Sequence, residues 1–132
     1  MPLAIVTGTS RGLGRALAER LLAQGWSVHG FVRAPDGWAA PGFVAHTVDV
    51  GDPAAVRAAV AAATADGATI DLLVNNAGVA AMNALLLTPP EVAAELMRVN
   101  YLGTFHCLQA VGKAMVRARR GRILNVTTVA VP

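Results

Sequence analysis

Cysteine is almost missing from this chain. Cys107 stands alone, so no disulfide can close within it, which fits a reducing compartment. Its apolar, helix-spaced surroundings point to a buried, inert thiol rather than a nucleophile, and no cluster of metal-ligating residues is expected. Charge is sparse too: 14% of residues are charged against 55% apolar, which excludes a disordered, self-repelling polymer. No uncharged apolar run is long enough to span a bilayer, because the most alanine-rich stretch carries Arg57 and ends at Asp66. The opening MPLAIVTG enters a strand pattern at once and leaves no room for a leader peptide. A cytoplasmic protein without a membrane partner is the expectation. Aromatics make up only 5% of the chain, and abundant alanine suits close packing of helices on a sheet. Glycine and proline are dispersed, so repeats and low-complexity architectures are excluded.

The formal charge is +3, from eleven Arg and Lys against eight Asp and Glu. Arg117, Arg119, Arg120 and Arg122 crowd one stretch. No aromatic residues interleave with them, so a basic helix C-terminus favoured by the helix dipole explains them better than a nucleic-acid patch. No nucleic-acid partner is expected.

Apolar runs alternate with helical periodicity. LAIVT (3–7) reads as a buried strand. Leu13, Leu17, Leu21 and Leu22 recur at helical spacing, and Gly25 can close that helix. SVHGFVR (27–33) and FVAHTVDV (43–50) are strands. The turn-rich APDGWAAPG between them leaves room for a short helix or none. Asp52 is an N-cap candidate with Pro53 in the first helical position and Gly67 at the end. IDLLVNNAG (70–78) is a strand running into a polar turn. Thr88 and Glu91 stand at capping-box spacing, opening a helix that loosens near Gly103 and stops at Gly121. RILNVTT (122–128) is the last strand. The expected fold is α/β: a Rossmann-like parallel sheet of about five strands, helices on both faces, spanning residues 1–132 as one dinucleotide-binding domain.

Two turns carry chemistry. TGTSRGLG (7–14) joins a strand to a helix, and its glycines let backbone N–H groups approach a phosphate at a helix N-terminus. NNAG (75–78) ends a strand expected at the same sheet edge. Either turn alone could be an ordinary glycine or Asx turn.

Together the motifs resemble the short-chain dehydrogenase/reductase family. TGTSRGLG is similar to its coenzyme turn, LLVNNAG to its N-N-A-G motif, and VDV (48–50) to the acidic position after its third strand. VNYLGTFH (99–106) resembles the helix bearing its catalytic Asn, and RILNVTT the strand bearing its catalytic Ser. The resemblance implies that Gly8, Ser10, Arg11, Gly12, Leu13 and Gly14 hold the coenzyme phosphates. It implies that Asp49 and Val50 flank the adenine, and that Asn76, Ala77 and Gly78 line the ribose side. It puts Asn100 at the proton-relay position and Thr128 at the position of the substrate-binding Ser. Threonine keeps the donor hydroxyl but adds a methyl group.

The second strand ends FVRAP, with no acid before Asp36 to grip a free ribose. Arg33 stands there and Arg11 lies in the glycine turn. Two guanidinium groups welcome a 2′-phosphate, so NADP(H) is expected over NAD(H).

The family's Tyr-x-x-x-Lys pair is not found in these residues. Tyr101, the only tyrosine, is followed by Phe105 where the Lys would stand, and Lys113 is the only lysine. Tyr101 is expected to be a packing residue. The expected fold is therefore incomplete relative to the full family fold, and no turnover is expected from the 132 residues alone. The resemblance implies hydride transfer between NADP(H) and a small alcohol or carbonyl substrate, in a longer form. A non-catalytic dinucleotide-binding or interaction module is the alternative. One face of the 104–118 helix, with Phe105, Leu108, Val111, Ala114 and Met115, is expected to be partly uncovered, favouring homo-oligomers or aggregation.

Overall fold

The structure, a computed structural model, describes residues 1–128. Five parallel strands form one sheet: β1 (Leu3–Thr7), β2 (Ser27–Val32), β3 (Phe43–Thr47), β4 (Ile70–Asn75) and β5 (Arg122–Asn125). Their spatial order is β3-β2-β1-β4-β5, so the winding direction reverses between β1 and β4. That reversal opens a crevice at the carboxyl ends of these two strands.

Alternation within β1 divides the core. Leu3 and Ile5 point to one face, where they meet Phe31, Leu73 and the helices α2 (Pro53–Ala63) and α4 (Thr104–Ala118). Ala4 and Val6 point to the other, against Ala18 and Leu17 of α1 (Gly12–Ala23). Helices thus cover both faces, as expected. No helix joins β2 to β3. Loop 34–42 takes its place by laying Trp38 against Phe43, with ring centroids 4.1 Å apart, on the α1 side of the core.

Local punctuation works where its partners are local. Asp52 accepts from the Ala54 and Ala55 N–H groups, and Pro53 opens α2. That helix ends at Ala63, four residues before Gly67, because Thr64 turns its hydroxyl back to the Val60 carbonyl. Thr88 does not cap α3 (Pro90–Leu96). Its hydroxyl instead donates to Ala84 O and closes the short 3₁₀ turn Leu85–Leu87. Between α3 and α4 the helix widens into a π turn over Met97–Gly103, earlier than the expected loosening at Gly103. Arg119, not Gly121, takes the left-handed turn that ends α4, with φ 53°.

The strands are shorter than their apolar runs. β3 stops at Thr47 and β5 at Asn125, so Thr127 and Thr128 lie beyond the last strand. β4 itself ends at Asn75, whose carbonyl accepts from Val126 N–H at 2.9 Å, and no ladder remains for the residues that follow.

The expected apolar face of α4 is largely covered: Val111 and Met115 are buried in the core, with Leu108 and Ala114 packed against it. Phe105 of that face stays 43% exposed, beside Tyr101 and Leu102 of the π turn, and further exposed apolar side chains lie at Leu85, Leu86 and Leu87. Tyr101 is 61% exposed and therefore not a packing residue. Cys107 is buried as expected, and burial pushes its thiol up to about 12. Arg120 pairs with Asp71 at 3.1 Å and donates to Thr69, which ties the α4–β5 turn to β4. Among the described residues no helix is long and apolar enough to cross a membrane, and no group of His, Cys, Asp and Glu is placed to hold a metal ion.

Candidate functional site

At the switch point a cleft of about 650 Å³ opens over the carboxyl ends of the strands. Its floor and rims include Gly8, Ser10, Arg11, Gly12, Arg33, Val50, Asn76, Ala77 and Gly78. Nine of the residues singled out in the sequence therefore share one concavity. Val32, Val48, Val79 and Val99 add an apolar wall.

The glycine turn is built by close approach. A Cβ on Gly14 would overlap the Gly8 carbonyl oxygen and crowd Asn76 Nδ2. This lets the first turn of α1 sit directly on the β1 turn. Gly12 has φ +58°, and nothing lies within 4 Å of where its Cβ would stand. Arg11 occupies the N-cap position without a side-chain cap, so the first N–H groups of α1 lack side-chain acceptors. An open glycine cradle at an uncapped helix N-terminus fits the phosphates of a dinucleotide.

Thr7 holds the two turns in register. Its Oγ1 accepts from Asn76 N at 3.0 Å and Ala77 N at 2.8 Å. Asn76 Nδ2 answers by donating to the Thr7 and Gly8 carbonyls, each at 3.2 Å. Asn75 Nδ2 donates to Asn125 Oδ1 at 2.9 Å, extending the lattice to β5. Neither Thr7 nor Asn125 stood out in the sequence, because a strand threonine or asparagine carries no local sign of its partner.

Asn100 lies on the π turn and does not line the cleft. Its side chain clasps Val79, accepting from Val79 N and donating to Val79 O, both at 2.8 Å. It thereby fixes the chain just after Gly78. Thr128 is exposed and does not line the cleft either. Neither Leu13, which is exposed, nor Gly14, which is buried under the Gly8 carbonyl, lines the cleft.

Asp49 is also turned to other work. Its carboxylate accepts from Gly51 N at 2.9 Å and pairs with Arg98 at 2.8 Å. Desolvation opposes its charge, but the Gly51 N–H and the guanidinium outweigh it and hold the carboxyl below its usual range. Val50 and Val48, on either side, face the cleft. Arg98 was not legible as an Asp49 partner; only its acid at i−3, Glu95, is a local clue.

Among the described residues Asp36 is the one carboxylate lining the cleft. It accepts from Trp38 N at 3.0 Å and pairs with Arg15 at 2.9 Å. The Trp38 N–H foremost, and then Arg15, keep it below the usual carboxylate range despite some desolvation. Arg15 also stacks on Trp38, 4.0 Å from the ring centroid. Arg11 and Arg33 form no ion pair among the described residues.

Comparison with known proteins agrees with this geometry. The family model described as short chain dehydrogenase matches residues 2–131. The 3-oxoacyl-(acyl-carrier-protein) reductase FabG of Escherichia coli (strain K12) is 33% identical over 133 residues, covering 96% of this chain and 54% of that protein. The short-chain reductase protein NovJ of Streptomyces niveus is 38% identical, covering 97% of this chain and 52% of that protein. The ligand-free aldohexose dehydrogenase of Thermoplasma acidophilum superposes with a TM-score of 0.88 at 29% identity, covering 94% of this chain and 48% of that one. The chain spans about half the length of the curated relatives it matches.

Proposed function

The chain belongs to the short chain dehydrogenase family, and on that premise we propose that residues 1–132 are the dinucleotide-binding unit of an NADP(H)-dependent oxidoreductase. The reaction is hydride transfer between the coenzyme and a small-molecule alcohol or carbonyl compound. The observation that carries this reading is the cleft at the β1–β4 switch point, where the TGTSRGLG and NNAG turns meet.

The dinucleotide, when bound, supplies or accepts the hydride. The chain's own residues bind and orient it. Gly8, Ser10, Arg11 and Gly12, continued by Leu13 and Gly14, form the phosphate turn at the start of α1. Asn76, Ala77 and Gly78 form the opposite wall, held there by Thr7. Val50 gives the adenine an apolar seat, with Asp49 fixing the turn behind it. Asn100 keeps the post-Gly78 segment in place for the relay role that its position implies. Thr128 would offer a hydroxyl to the substrate oxygen. The four valines give the cleft one apolar side.

Preference for NADP(H) rests on charge. Among the described residues Arg11 and Arg33 line the cleft without ion-pair partners, and the one carboxylate there, Asp36, is occupied by Arg15. A 2′-phosphate gains two guanidinium partners there, whereas a free ribose finds no available acid. A cytoplasmic setting suits the lone buried thiol. Self-association through exposed Tyr101, Leu102 and Phe105 suits the same reading, and sedimentation over a concentration series tests it.

The coenzyme test is a fluorescence titration with NADPH and NADH. NADPH binds more tightly on this reading, and Arg33→Asp weakens it by roughly 1–3 kcal/mol, the scale of a charged hydrogen bond. NADH binding as tight as NADPH sinks the preference. Failure of both to bind sinks the assignment of the cleft.

A further inference from the structure

A second concavity, of about 290 Å³, lies between α2 and α4. Arg57 borders it from α2, and His106, Gln109, Lys113 and Arg117 border it from α4. On α4 these positions recur at steps of three and four residues, so they form one stripe facing α2. Among the described residues the lining contains no aspartate or glutamate. Arg57, Lys113 and Arg117 have no ion-pair partner among the described residues, unlike Arg15, Arg98 and Arg120. Three cations without ion-pair partners among the described residues thus border a single hollow whose least exposed lining is apolar, with Val60 buried and Ala110 half-buried.

We propose that this hollow binds a compact phosphate monoester carrying a small apolar body. A concavity lined by one sign of charge concentrates counter-ions of the other. Two guanidinium forks match phosphate oxygens bidentately, and an ammonium adds a point charge. Gln109 supplies a neutral donor, and the apolar lining at Val60 and Ala110 accepts a ring or short chain. The volume is that of a small ligand, at the low end of the roughly 300–1,000 Å³ such sites occupy. It is less than half of the switch-point cleft, so a whole dinucleotide does not fit. One hydrogen bond nevertheless connects the two linings. His106 Nδ1 lies 2.9 Å from the Val50 carbonyl oxygen, and since a carbonyl only accepts, Nδ1 carries the proton. Val50 lines the larger cleft.

The test uses phenyl phosphate, with phenol as its uncharged counterpart, titrated into the full chain and followed by amide chemical shifts. Saturable shifts at Arg57, Gln109, Lys113 and Arg117, with a Kd at or below about 1 mM, are the expected result. Phenol leaves those amides unmoved. The double change Arg57→Gln and Lys113→Gln, at two exposed positions, weakens binding by about tenfold or more while the unfolding transition stays in place. Lys113→Arg retains it. Lack of saturation, shifts confined to the Gly12 region, equal binding of phenol, or binding of polyglutamate in place of phenyl phosphate each overturn the proposal. The last of these would mark an acidic protein partner instead.

Discussion

Asn100 and Val79 are joined by a matched pair of hydrogen bonds, each 2.8 Å, in which an exposed side-chain amide stands in for a strand partner. The widened π turn carries Asn100, and π turns of this kind gather at functional sites. The consequence is a fixed exit from the NNAG turn, although no ladder continues there.

Asn100→Asp keeps the acceptor but replaces the donor with an oxygen that faces the Val79 carbonyl. Because the site is exposed, water can partly substitute, so a loss of about 1 kcal/mol is expected. Hydrogen exchange at the Val79 amide should accelerate. Unchanged exchange there would show that the clasp does not hold the segment.

Thr7→Val removes a buried acceptor that serves two N–H groups, those of Asn76 and Ala77. Shape is conserved, so the cost comes from unsatisfied donors, about 1–3 kcal/mol in urea denaturation. Thr7→Ser should recover most of it, since the hydroxyl returns.

Gly14→Ala places a methyl group against the Gly8 carbonyl oxygen. Backbone cannot give way as a flexible side-chain end can, so α1 must shift from the β1 turn. Overpacking of this sort costs typically about 1–3 kcal/mol, and dinucleotide affinity should fall with stability. Gly12→Ala meets open space but imposes a strained positive φ. It should cost stability through backbone strain and place a methyl group in the cradle.

His29 on β2 and His46 on β3 stack with ring nitrogens 2.8 Å apart. Desolvation foremost lowers His29 from 6.5, and the neighbouring His46 lowers it further, against an upward pull from Asp66. Desolvation also lowers His46 from 6.5. A depressed folded-state value means that the unfolded chain binds protons first. The pair's contribution is therefore complete above 6.5 and is lost as pH falls below it. The melting temperature should decline with acidification across that range, and His46→Gln should flatten the decline. An identical pH profile in that variant would remove the pair from the explanation.

The parts of the fold that were legible in the sequence are those whose physics is local. Asp52 and Pro53 start α2 because a cap and its N–H partners lie within a few residues. The glycine turn was legible for the same reason. Thr88 misled because Pro89 and Pro90 hold the entry to α3, leaving its hydroxyl to the preceding 3₁₀ turn. Tyr101 misled because an aromatic side chain in a helical pattern reads as core until its neighbours are placed.

By itself the sequence determined the alternation of strands and helices, the two turns and the basic character of the β2 end. Each follows from side-chain period, permitted φ or local charge. Only the tertiary structure decided which turns meet. Thr7 and Asn76 stand 69 residues apart, and Asp49 and Arg98 stand 49 apart. Their contacts depend on β4 crossing back to lie beside β1 and on the π turn facing the β3 end. The same assembly ended β5 at Asn125, since a strand lasts only as long as its neighbour offers backbone partners, and β4 offers none past Asn75.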